Sequence, residues 1–143
     1  MAFMRTQVAI VGGGPAGLML GRLLELRGIE SVILEARDRE YVQQRVRAGV
    51  LEQATMDLMD EVGLGERMHA EGLVHHGVEL RFGGEGHRIP LSDLTGGRAI
   101  TIYGQQEVVK DLIGARLRSG LPLYFEVSDV KVDPATPRVE FTF

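Results

Sequence analysis

One short stretch narrows the folding options of this chain more than any other. Gly12-Gly13-Gly14-Pro15-Ala16-Gly17 stands directly behind the wholly apolar run Val8 to Val11. Such a run, rich in β-branched residues, is the pattern of a strand buried on both faces of a parallel sheet. The glycines end it. Pro15 then sits where a helix can begin, because its missing N–H would find no partner there anyway. Leu20, Leu23, Leu24 and Arg27 continue at helical spacing as far as Gly28, which is free to take the left-handed conformation that closes a helix. Ser31 to Leu34 reads as a second buried strand. Strand, helix and strand within about thirty residues make a right-handed βαβ unit.

Gly12, Gly14 and Gly17 match the spacing G-x-G-x-x-G, and each has a physical task. Gly12 permits the tight turn, Gly14 lets backbone approach a pyrophosphate, and Gly17 lets the helix pack closely on the strand. The helix start adds unpaired N–H groups and about half a positive charge. A glycine-rich turn alone is a weak signal; one that follows a buried strand and opens a helix is a strong one. Glu35 ends the second strand, eighteen residues beyond Gly17, where a carboxylate accepts hydrogen bonds from the ribose hydroxyls of an adenosine. The pattern predicts ADP binding and does not separate NAD from FAD.

The rest of the chain adds elements of both kinds. Glu35 to Arg47 reads as a charged loop with a short helical turn. Leu51, Ala54, Leu58 and Val62 predict an amphipathic helix ending at Gly63. Gly77 to Phe82 and His87 to Leu91 flank Gly83-Gly84-Glu85-Gly86, a β-hairpin pattern. Arg98 to Tyr103 is a further strand, and Val108, Leu112, Ala115 and Arg116 mark a helix running to Gly120. Leu123 to Val132 and Arg138 to Phe143 predict paired strands around Asp133-Pro134-Ala135-Thr136-Pro137. The fold class is α/β: a Rossmann-like βαβ unit with a parallel sheet and antiparallel β additions, incomplete as it stands. Val139, Phe141 and Phe143 alternate as a half-buried strand does, and nothing after them would cover their apolar face. We therefore expect residues 1–143 to be the N-terminal part of a larger domain.

Composition removes several classes of function. The net charge of −4 argues against a general nucleic-acid binder. The absence of cysteine excludes disulfides, thiolate nucleophiles and thiolate metal sites, and suits a reducing compartment. His69, His76 and His87 show no paired spacing with carboxylates, so no metal site is expected. Met1 to Gln7 lacks the apolar run of a signal peptide, and the apolar stretch Val8 to Leu24 is broken by five glycines and a proline, unlike a membrane span. A soluble cytoplasmic protein with no membrane partner is the expectation.

Three further segments carry a family resemblance. Arg45-Val46-Arg47-Ala48-Gly49-Val50-Leu51-Glu52-Gln53 resembles the flavin-contacting segment of the class A FAD-dependent aromatic hydroxylases of the 4-hydroxybenzoate 3-monooxygenase family. Gly72-Leu73-Val74-His75-His76-Gly77-Val78-Glu79 and Tyr103-Gly104-Gln105-Gln106-Glu107-Val108 resemble the same family. The similarity runs from Gln7 to about Arg116 and loosens after Gly120.

The resemblance implies FAD as cofactor and NADPH as co-substrate, with NADH left open, for a monooxygenase that hydroxylates an aromatic acid beside its hydroxyl group using O2. It implies that Gly12, Gly14, Ala16, Gly17 and Glu35 hold the ADP half of FAD and that Arg47 reaches the pyrophosphate. By the same resemblance Arg45 serves flavin and NADPH, Val50 lies near the ring within the segment Val46, Ala48 and Gly49, Gln105 binds FAD, and His75 is the outer member of a relay that removes the phenol proton. Without the family, Arg45 and Arg47 would read as a solvated basic loop, and His75 as a polar residue of a strand. The pattern departs from the family at Ala36, where NADPH-preferring members carry arginine; Arg37 follows instead, Tyr41 matches, and Arg37, Arg39 and Arg45 are expected to supply positive charge to a 2′-phosphate. The substrate domain and later flavin-binding motifs do not lie in these residues, so we expect them alone not to hydroxylate. Two other readings stay open: a hydroxylase of another aromatic acid, and a non-catalytic nucleotide-binding module. A homodimer is left open for the full-length protein.

Overall fold

The computed structural model describes residues 4–133, 135, 136 and 138–143. Met1, Ala2 and Phe3 of the N-terminus, and Pro134 and Pro137 of the expected loop, lie outside the described residues. The chain forms two compact units, Met1–Val46 with Gln106–Phe143, and Arg47–Gln105. The first opens with β1 (Val8–Val11), α1 (Pro15–Leu26), β2 (Ser31–Leu34) and α2 (Arg39–Gln44). The second holds β3 (Val50–Glu52), α3 (Gln53–Glu61), α4 (Glu66–Glu71), β4 (Leu73–His75), β5 (Val78–Phe82), β6 (Glu85–Ile89), α5 (Leu91–Leu94) and β7 (Ile100–Ile102). The chain continues through α6 (Gln105–Arg118), β8 (Leu123–Tyr124), β9 (Ser128–Asp133) and β10 (Arg138–Thr142).

In the first unit a parallel sheet runs in the order β1-β2-β8, with Val8 opposite Ser31 and Ile33 opposite Leu123. All four residues of the central strand β2 are buried, as a strand covered on both faces should be. The same expectation fails for β1, where only Ile10 is buried and Val11 is 55% exposed. Among the described residues β1 has a neighbour on one side only, so its position rather than its composition decides its exposure. Gly21 lets α1 approach the sheet, since a Cβ there would lie 2.7 Å from Ile33 Cδ1. Ile33 and Leu18 are sealed from water, each stabilising the fold by about 1.5–3 kcal/mol.

The expected long strand Leu123 to Val132 is two strands. β8 joins β2, whereas β9 pairs antiparallel with β10. Between them Glu126 takes φ +59°, which lets its N–H and that of Val127 reach the carbonyls of Arg37 (3.1 Å) and Glu35 (3.0 Å). This turn also corrects the expectation of an uncovered final strand. Val139 and Phe141 pack with Tyr124 and Val130 against Val32, Leu34 and Val127, although Phe143 stays exposed. Arg116, nearly sealed from solvent, fastens α6 to the sheet. Its guanidinium donates to Ser31 Oγ (3.1 Å), to the Ser31 carbonyl and to the Pro122 carbonyl (3.0 Å). Burial lowers its pKa and the charge of Glu25 raises it again; arginine titrates so far above neutrality that it remains a cation.

The second unit is built on an antiparallel sheet in the order β3-β7-β4. Leu51 and Thr101 are buried on one of its faces, and Thr101 Oγ1 contacts Met56 Sδ of α3 at 2.8 Å. The helix predicted from Leu51 to Val62 therefore starts only at Gln53. Leu51 belongs to β3, Ala54 is exposed, and the buried face is carried by Met56, Met59 and Val62. α4 was not legible in the sequence: it is six residues long and has no side-chain cap. The β5–β6 hairpin closes on Gly83 and Gly84 (φ +61° and +83°), so β6 begins at Glu85, two residues earlier than predicted. Among the described residues no helix is long and apolar enough to cross a membrane.

Candidate functional site

The turn after β1 has the geometry its glycines require. Gly12 stands at φ +115°, a conformation that side chains rarely take, and its N–H donates to the Leu34 carbonyl at 2.7 Å. A Cβ on Gly17 would lie 2.0 Å from the Gly12 carbonyl oxygen, so the helix can sit on the turn only if Gly17 is glycine. Gly14 differs: its backbone is ordinary extended (φ −76°, ψ −178°), and a Cβ there would meet nothing within 4 Å. Folding does not demand glycine at Gly14. The open space before it does, if a ligand's backbone-hugging group lies there. Gly14 is the N-cap of α1 and supplies no side-chain cap, so the first N–H groups of the helix, including those of Ala16 and Gly17, are left for an acceptor. An acidic group at this end has the favourable helix dipole before it.

Glu35 closes the other side. Its own N–H donates to the Tyr124 carbonyl at 2.8 Å and its carbonyl accepts from Val127, so β8 and the Glu126 turn fix its backbone. Its carboxylate is half-buried and accepts the Gly13 N–H at 2.7 Å on Oε2 and the Arg37 N–H at 2.8 Å on Oε1. Each oxygen keeps a further lone pair for a hydroxyl. The structure thus brings Gly12, Gly14, Ala16, Gly17 and Glu35 into one place. These residues fit the ADP half of a dinucleotide: an open glycine before a helix N-terminus suits the pyrophosphate, and a carboxylate held at the strand end suits a ribose diol.

Beyond Glu35, Asp38 caps α2 by accepting the Tyr41 N–H at 2.8 Å. The Arg37 and Arg45 guanidinium carbons lie 5.3 and 5.6 Å from the centre of the Tyr41 ring. Of the arginines expected to supply positive charge here, Arg37 and Arg45 thus gather on one exposed aromatic ring. Val46 is exposed in the same unit.

The remaining predicted residues lie in the second unit. Arg47 is exposed. Ala48 and Gly49 prolong the β3–β7 ladder, since their carbonyls accept the N–H groups of Gln105 (3.1 Å) and Tyr103 (2.8 Å). Ala48 and Gln105 are thus neighbours. Val50 pairs with Ile102 and His75 with Ile100, two residues apart along β7, so both project from the same face of the sheet. That face carries exposed Val50, Leu73 and Ile102. His75 is exposed, and its imidazole has no hydrogen-bond partner among the described residues. His69 is bonded to both Asp60 oxygens at 2.8 and 3.0 Å, an ion-pair geometry and not a metal-ligating cluster. Among the described residues no three metal-ligating side chains gather.

Gly13 is the residue that motif reading passed over. It is buried, and a Cβ on it would lie 2.9 Å from Glu35 Cβ. The signal was present as three glycines in a row where the pattern requires only two.

Comparison with known proteins extends this picture. The family model described as FAD binding domain matches residues 5–140. A p-hydroxybenzoate hydroxylase of Acinetobacter baylyi is 46% identical over 143 residues, covering 99% of this chain and 35% of the relative. The chain thus spans about a third of that relative's length. Among solved structures, PqsL, a probable FAD-dependent monooxygenase from Pseudomonas aeruginosa, superposes with TM-score 0.78 at 22% identity, covering 94% of this chain and 39% of that one. The p-nitrophenol 4-monooxygenase PnpA of Pseudomonas putida superposes with TM-score 0.77 at 21% identity, covering 99% and 40%. These two likenesses establish the fold. From the family match along nearly its whole length, the chain belongs to the FAD binding domain family.

Proposed function

We propose that the intact protein hydroxylates 4-hydroxybenzoate to 3,4-dihydroxybenzoate, using NADPH and O2 with FAD as cofactor. The observation that carries this reading is the 46% identity to a p-hydroxybenzoate hydroxylase along the whole chain, joined to a turn and carboxylate that fit ADP. Bound FAD would supply the redox chemistry, accepting electrons from the nicotinamide and passing them to O2. The chain's own residues do the holding. The helix start at Gly14, Ala16 and Gly17 neutralises part of the pyrophosphate charge, with Arg47 as a second, bidentate donor. Glu35 orients the ribose. Gln105, beside Ala48, and the segment Arg45 to Val50 contact the flavin half. Arg37 and Arg45 on Tyr41 offer two positive charges to the extra phosphate that distinguishes NADPH from NADH, in place of the arginine that Ala36 replaces. His75, exposed and with its imidazole unpaired among the described residues, is free to exchange a proton with solvent as the outer end of a relay from the phenol. The small-molecule partners on this reading are the aromatic acid and O2, in a cytoplasmic protein without a nucleic-acid or membrane partner.

The test is to purify the intact protein, record its flavin spectrum, and supply 4-hydroxybenzoate, NADPH and O2 while assaying products by chromatography. Substrate-stimulated NADPH oxidation yielding 3,4-dihydroxybenzoate is expected. Hydroxylation of a different aromatic acid instead would reassign the substrate, and protein that carries no flavin would overturn the cofactor assignment.

A further inference from the structure

Glu35 is committed twice over before any ligand arrives. Both of its carboxylate oxygens are engaged by backbone N–H groups, one from Gly13 inside the glycine turn and one from Arg37 at the entry to α2. Gly13 is buried beneath it, at a distance that a methyl group would close to 2.9 Å. The Gly12 N–H is fixed separately to Leu34, one residue before Glu35. The turn is therefore tied to the end of β2 at two successive residues, once through the backbone and once through a carboxylate.

We propose that Glu35 is a positioning residue for the pyrophosphate turn, in addition to its contact with ribose, and that Gly13 is glycine because this carboxylate must rest on it. The inference rests on the reading that a dinucleotide occupies this turn. Physically, the anionic carboxylate forms charge-assisted bonds to two N–H groups, stronger than neutral ones, and so restrains the peptide between Gly12 and Gly14 whose orientation sets the α1 N-terminus toward the phosphates. Without it, the Gly13 N–H would have no acceptor in a buried place, and the turn would sample other conformations before binding. The same carboxylate links the turn to the segment leading to Tyr41, so disturbance at one is felt at the other.

The experiment compares two probes on the intact protein: ADP, and 2′,3′-dideoxyadenosine 5′-diphosphate, which keeps the pyrophosphate and lacks the ribose hydroxyls. A residue that serves only the ribose loses affinity for ADP alone when it is removed. A residue that also holds the turn loses affinity for both. We expect Glu35→Ala to weaken the dideoxy nucleotide about tenfold, the loss of roughly one charge-assisted bond's worth of order. Glu35→Gln keeps one oxygen able to accept the Gly13 N–H, and should restore most of that loss for the dideoxy probe while remaining weak toward ADP. Hydrogen exchange at the Gly13 amide supplies a reading independent of ligand: it should be protected in the wild type and in Glu35→Gln, and exposed in Glu35→Ala. Unchanged dideoxy affinity in Glu35→Ala, or an unprotected Gly13 amide in the wild type, would overturn the proposal and leave the nucleotide assignment standing. Failure of the wild type to bind ADP or FAD at all would instead overturn the assignment on which it rests.

Discussion

Gly14 and Gly17 are three residues apart in one motif, yet the structure separates what each is for. Replacing Gly14 with Val adds a side chain on an extended backbone (φ −76°, ψ −178°) with nothing of the protein within 4 Å of its Cβ. The folding cost is that of a poor N-cap residue, at most about 1 kcal/mol. The ligand cost is larger. If two phosphate contacts to the α1 N–H groups are lost, at about 1.5–3 kcal/mol each, FAD affinity falls by roughly 10²- to 10⁴-fold. Gly17→Ala reverses the pattern. Its Cβ would stand 2.0 Å from the Gly12 carbonyl oxygen and 3.2 Å from Ile10 Cγ2, and because the first neighbour is backbone, turn and helix must part. Such overpacking costs typically 1–3 kcal/mol or more, before any ligand is present. Thermal unfolding of the intact protein with and without FAD resolves the two. At FAD equal to 100 times the wild-type Kd, ligand should add about 2.7 kcal/mol to wild-type stability and only about 0.4 kcal/mol to Gly14→Val if its affinity has dropped 100-fold. The apo form of Gly14→Val should melt within a few degrees of wild type, whereas apo Gly17→Ala should melt clearly lower. Full FAD affinity in Gly14→Val would refute the placement of the pyrophosphate, and wild-type apo stability in Gly17→Ala would refute the close contact of helix and turn.

Three other outcomes follow from particular residues. Arg45→Ala should lower kcat/KM for NADPH more than for NADH, because only NADPH carries the added phosphate dianion; equal losses would show that the Tyr41 cluster does not read that phosphate. His75→Asn should shift the pH dependence of hydroxylation while leaving FAD affinity nearly unchanged, and an unaltered profile with reduced stability would make His75 a structural residue of β4. The Thr136 hydroxyl at 2.6 Å and the Ala135 N–H at 2.8 Å hold the Asp133 carboxyl below its usual pKa. A depressed folded pKa means that this stabilisation is present above the ordinary value and disappears as pH falls through the folded one, so the protection of the β9 and β10 amides, taken relative to their intrinsic exchange rates, should fall below about pH 4, and not so in Asp133→Ala.

What the sequence determined by itself was local. The spacing of Gly12, Gly14 and Gly17, Pro15 at the helix start and Glu35 at the strand end were enough to place β1, α1 and β2, because each of these signals acts on its own neighbouring residues. Gly28, Gly63 and Gly120, all at positive φ, likewise marked three helix ends correctly. Only the tertiary structure decided the rest. Periodicity could not tell Leu51 in a strand from Leu51 in a helix; the partner Thr101, fifty residues later, did. The half-apolar face of β10 looked uncovered because its cover, Tyr124 with Val127, Val32 and Leu34, is brought in by a left-handed turn at a glutamate, where no glycine announces it. The motif spacing gives Gly13 no task, and only Glu35, folded onto it from the end of β2, does. Helix ends and phosphate turns are written in neighbouring residues, whereas pairing and cover depend on which distant segment wins a place against the same surface.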